Sequence, residues 1–181
     1  MKAVLAIVAV LTLSPPALGA EMRIQDFYGR WVGEGIAETE TGEATERQSR
    51  GLEVIVRDHP VGFQLCWSTI RREPDAPDRQ SFAMILFAPS GAPGKWTATF
   101  AGDGSAAEAH ADASLDGDTL RVTNRATNEA GETEVQIYER SLRRGGMDLY
   151  FSRYDDDLLA RTVQGRLEPA ERKPGESAPW C

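Results

Sequence analysis

The residues able to do chemistry are few. Histidine occurs twice, as His59 and His110, and cysteine twice, as Cys66 and Cys181. A zinc site built from cysteine and histidine alone needs four ligands and would have to use every one of them, which argues against it. His59 lies between Asp58 and Pro60, a turn setting that leaves it solvated. His110 could act as a ligand or proton shuttle, but alternates onto the polar face of an alanine-rich segment and reads as a surface or lumen residue. Asp155, Asp156 and Asp157 lie near Asp148 and could attract calcium. The run lacks the spaced oxygens and glycine of a calcium loop, and reads as a charged turn. Ser68, Ser81 and Ser105 lack the surroundings of an activated nucleophile, and no spacing singles out a carboxylate pair. These residues give no catalytic motif, no metal site and no cofactor. Aromatic residues offer a different chemistry, that of apolar binding. Phe63, Leu65, Trp67, Phe82, Trp96 and Phe100 are candidate ligand-lining residues.

Short strands must position that set. Leu52, Val54 and Val56 alternate with Glu53, Ile55 and Arg57. Phe63, Leu65 and Trp67 alternate with Gln64, Cys66 and Ser68. Cys66 therefore faces away from the Phe63/Trp67 side. Residues 82–87 form a compact apolar run, and Trp96, Ala98 and Phe100 alternate with threonines. Residues 106–115 are rich in alanine, yet alternate as a strand does. Asp116-Gly117 is a hairpin signal. Residues 39–46 and 73–79 are polar and read as a turn and an exposed loop. With no amphipathic helix for a crossover, the chain predicts an all-β fold. The form expected is a single antiparallel up-and-down barrel of about eight to ten strands, with a β-sandwich as the alternative.

Residues 1–20 read as a signal peptide. Lys2 precedes an apolar run from Ala3 to Leu13, broken only by Thr12, and Ala17-Leu18-Gly19-Ala20 offers small residues for cleavage. The barrel then occupies residues 21–167 and a polar tail residues 168–181. A periplasmic or secreted location follows, with no integral membrane segment after cleavage. Oxidising surroundings give the even pair Cys66 and Cys181 the reading of one disulfide pinning the tail. Two free thiols are the other reading, with Cys66 as a small buried hydrophobe. The chain has 181 residues and a net charge of −8. Its acidic balance argues against nucleic acid as a partner.

The stretch Asp26-Phe27-Tyr28-Gly29-Arg30-Trp31 resembles the opening strand of the lipocalins and their calycin relatives. The resemblance implies an eight-stranded barrel with Trp31 at its closed end and a late basic residue packed across the indole. Arg161 and Arg166 are available, and Arg166 is the expected partner. It also implies a cup for a small apolar or amphipathic ligand. The alternative is a protein-binding or inhibitor module with a filled core, recognising partners through residues 39–50 and 73–79. The string from Gly29 to Gly35 is similar to the first strand of nitrobindin-type haem barrels. Those use a histidine near the C-terminus, where this chain has none.

Overall fold

The computed structural model describes residues 22–42, 44–73, 76–98, 109–127, 131–171 and 181. The expected signal peptide, Phe100, Ser105 and most of the tail lie outside the described residues. A single 3-10 turn, Ile24–Phe27, precedes the strands. Ten strands follow: β1 Gly29–Thr41, β2 Ala44–His59, β3 Gly62–Glu73, β4 Ala76–Pro89, β5 Lys95–Ala98, β6 Ala109–Asp116, β7 Thr119–Thr127, β8 Thr133–Arg143, β9 Gly146–Asp155 and β10 Leu158–Pro169. Each pairs antiparallel with its neighbours in sequence, and β1 pairs with β10 to close the barrel. Closure leaves no edge strand exposed. Among the described residues, no helix is long and apolar enough to cross a membrane.

Two hairpins show how local chemistry sets the turns. Gly117 takes φ +56° in the link from β6 to β7, a conformation open to glycine at little steric cost. Asp156 and Asp157 take φ 48° and 66° between β9 and β10. Two successive left-handed residues match the type I′ hairpin, and aspartate tolerates that region better than most side chains. Asp156 Oδ1 also accepts a hydrogen bond from the Thr133 N–H at 2.9 Å. The aspartate run is thus a turn, and no group of three metal-ligating side chains occurs among the described residues.

The polar stretches expected as turn and loop are mostly strand. β1 runs to Thr41 and β2 begins at Ala44. Similarly, β4 begins at Ala76. Both lie at the end of the barrel opposite the 3-10 turn, where water reaches both faces of a strand. Apolar alternation is then not required, and its loss reads as a turn. The alanine-rich segment is strand β6, with Ala111 and Ala113 buried inward.

The other end is closed. Phe27 is fully buried there, and its carbonyl accepts a hydrogen bond from Trp31 Nε1 at 3.0 Å. Val56, Phe63, Leu65, Phe87, Leu120, Met147 and Leu167 fill the lumen above it. Phe63 stacks on Phe87 with centroids 5.0 Å apart and meets Trp96 edge-on at 5.3 Å. On the outside, Ile55 and Cys66 are paired neighbours and both buried. Cys66 is joined there to Cys181 with Cα atoms 5.9 Å apart. Arg57 donates a hydrogen bond to the Cys181 carbonyl.

Candidate ligand-binding cup

The lumen is divided across its middle. β3 and β8 lie on opposite sides of the ten-strand ring. Trp67 from β3 nevertheless meets Tyr138 from β8 with ring centroids 5.1 Å apart. Tyr138 in turn meets Phe151 of β9 at 4.7 Å. The Arg140 guanidinium carbon lies 5.1 Å from the Tyr138 centroid and 5.7 Å from that of Trp67. Large aromatic side chains can span a lumen that smaller ones leave open. Here they roof the packed half and form the floor of an open one. That open half is a cavity of about 550 Å³, within the usual range for small-molecule sites. Leu52, Val54, Leu149, Phe151 and Val163 give it an apolar band.

The rest of the lining is basic. Arg50, Arg71, Arg79, Arg140, Arg153 and Arg161 all face this cavity. The register explains their convergence. One cross-strand row runs Arg140, Leu149, Gly165, Gly35, Arg50, Arg71, Arg79 across seven strands. Strand tilt carries this row from the floor at β8 to the mouth at β4. Arg153 and Arg161 pair with each other closer to the mouth. Inward-facing Gly35 and Gly165 lack side chains, and Leu52 lies over both.

The charges differ in how they are held. Arg153 is 2.9 Å from Asp155 and 3.6 Å from Glu134. Arg161 donates from Nε to Thr39 Oγ1 at 3.1 Å. Its pKa is lowered, first by loss of water and then by repulsion from Arg153 and Arg71. Arg140 is 0% exposed, and none of its three guanidinium nitrogens has a hydrogen-bond partner among the described residues. Burial pushes it down to about 10, which still leaves it charged at neutral pH. Burial also pushes the Tyr138 phenol up to about 12, and its hydroxyl donates to Gln136 Oε1 at 2.8 Å.

The expected lining set is split by this geometry. Trp67 lines the cup. Phe63, Leu65 and Trp96 belong to the packed half beneath it, because their positions on β3 and β5 lie toward the closed end. Phe82 alternates to the outer face of β4 and is 61% exposed. Its apolar run is buried alternately, at Ile85 and Phe87. Arg166 also faces outward, between Glu34 and Asp148 in the register. It donates to Asp148 Oδ1 at 2.5 Å and the Arg144 carbonyl at 3.1 Å, rather than crossing Trp31. A cation–π contact is made instead by Arg140, two strands away on β8 and over different rings. His110 lies on the outer face with Nε2 3.0 Å from Asp112. Tyr138, Arg140, Phe151 and Arg161 were not singled out as lining. Their signal is the shared face of Gln136, Tyr138 and Arg140 on β8, which competes with Val135 and Ile137 on the other face.

No family model matches the chain, and no curated protein matches it. Among solved structures it is similar to a protein of unknown function from the DUF3598 family of Nostoc punctiforme PCC 73102. The two share 14% identity with a TM-score of 0.53, over 88% of this chain and 53% of that one. This chain thus spans about half the length of that structure. At such identity the likeness shows the barrel fold alone. The fold defines the class as a closed antiparallel ten-strand β-barrel, two strands more than the lipocalin resemblance implies.

Proposed function

We propose that the protein is an exported, lipocalin-like carrier or sensor that binds a small amphipathic molecule in the open half of its barrel. One observation supports this above the others. The Trp67–Tyr138–Arg140 floor leaves about 550 Å³ above it that no atom of the described residues fills. A barrel of this kind holds one small ligand when side chains do not occupy the interior. The apolar band supplies burial at about 25 cal/mol per Å², and polar groups at the mouth orient the ligand. The filled-core alternative has less support, since residues 39–50 and 73–79 are largely strand and the upper lumen is open. Native mass spectrometry of protein taken from its own compartment tests the proposal. A chain beginning at Glu21 and carrying a small-molecule adduct that organic solvent removes is expected. A bare chain with nothing extractable would count against the reading.

A further inference from the structure

Six arginines facing one cavity are conspicuous in a chain of net charge −8. They come from six different strands, so no local run of sequence accounts for them. No lysine is among them. A guanidinium presents a planar fork of donors that matches an oxyanion, whereas an ammonium is a compact point charge. The acidic groups nearby are already engaged. Glu53, the only carboxylate lining the cavity among the described residues, lies 2.7 Å from Arg30. Glu134 and Asp155 both pair with Arg153.

Arg140 supplies an independent observation. A charged group is seldom buried unless it is paired or hydrogen-bonded. Here three buried nitrogens have no acceptor among the described residues, and the guanidinium lies over the rings of Trp67 and Tyr138. Cation–π contact holds the guanidinium in place but satisfies none of its N–H groups. Arg140 is among the residues lining the open cup, and these nitrogens are buried just beneath its floor.

Building on the reading of the cup as a ligand site, we infer that it selects an anionic amphiphile: a compact oxyanion head, carboxylate or phosphate, on an apolar body. The head meets the arginine-lined wall, with Arg140 as the deepest donor. The body lies against Leu52, Leu149, Phe151 and Val163. A cation of the same shape is repelled, and a neutral molecule leaves the buried Arg140 donors without an acceptor.

Two fluorescent probes of nearly one shape test this. 1-Anilinonaphthalene-8-sulfonate carries an oxyanion, and N-phenyl-1-naphthylamine lacks it. The purified protein is expected to bind the sulfonate about tenfold or more tighter, as charge-assisted hydrogen bonds require. Added salt should weaken the sulfonate and not the neutral probe. Arg140→Met should reduce the preference severalfold. If that variant does not fold, Arg79→Gln with Arg161→Gln should reduce it by thinning charge at the mouth. Equal binding of both probes by the unaltered protein would overturn the inference and leave the cup reading standing. So would a preference that survives in every folded variant. Binding of neither probe would count against the cup itself. Decanoate and decyl phosphate should then displace the sulfonate, and the stronger of the two names the head group. Decanol or decyltrimethylammonium displacing it equally well would also overturn the inference.

Discussion

Arg140 is held where an arginine is costly to hold. Its pKa falls to about 10, well below the usual guanidinium range, because burial disfavours the charged form. The unfolded chain therefore binds that proton more tightly than the folded one. The resulting loss of stability is present at every pH below about 10, and fades as pH rises above 10 toward the ordinary guanidinium range. Tyr138 works in the opposite direction. With its pKa raised to about 12, its neutral form is favoured by folding, and that contribution fades as pH rises from 10 through 12. The two slopes oppose one another above pH 10, so a variant reads the arginine better than a titration does. Replacing a buried ion by an apolar side chain of similar size is often neutral or stabilising by about 1–4 kcal/mol. The lost cation–π contacts offset about 0.5–2 kcal/mol of that. Arg140→Met is expected to raise the melting temperature of the ligand-free protein, by about 2–4 °C for each kcal/mol gained. A scanning calorimetry trace in which it melts below the parent would show that the ring contacts outweigh the buried charge. Little of this was legible in the sequence. Arg140 sits between Glu139 and Ser141, a context that reads as a solvated strand face. Only closure of the barrel turns that face inward.

At the level of elements, legibility followed the water. β2 and β3 alternate clearly around Val54 and Trp67, where one face is core, and there the strand reading and its facing hold. Toward the mouth, Thr39, Glu46 and Arg71 are polar on the inner face as well as the outer. The strand signal vanishes although the ladder continues. β8 fails differently. Its inner face carries Gln136, Tyr138 and Arg140, while Val135 and Ile137 point outward, so the binary pattern is inverted by the cup it lines. The cysteines were more readable. Alternation placed Cys66 on the outer face, and the structure joins it there to Cys181 across 115 residues of chain. A cross-link of that span restricts the unfolded state, with a usual effect of about 2–4 kcal/mol. The double variant Cys66→Ala/Cys181→Ala is expected to unfold at lower urea while its far-ultraviolet circular dichroism stays that of a barrel. An unchanged urea midpoint would mean that the bridge adds nothing to stability.

The whole molecule separates charge and packing by location, which composition cannot express. A net charge of −8 describes the sum, while the inner wall of the open half is arginine-rich. All-β class, antiparallel order and barrel closure were legible because consecutive short strands leave few other ways to remove two edges. The division of the lumen was not, because it depends on Trp67 meeting a residue 71 positions away across the barrel. That division makes a sharp functional claim: stability resides mainly below the floor and selectivity above it. Phe63 is fully buried in the lower half, against Phe87 and Trp96. Truncating such a side chain costs about 3–5 kcal/mol. Phe63→Ala is expected to lower the urea midpoint strongly while the molecules that remain folded keep the same ratio of sulfonate to neutral-probe affinity. If that ratio falls along with stability, the two halves are not separable, and Trp67 and Tyr138 do not act as a floor between them.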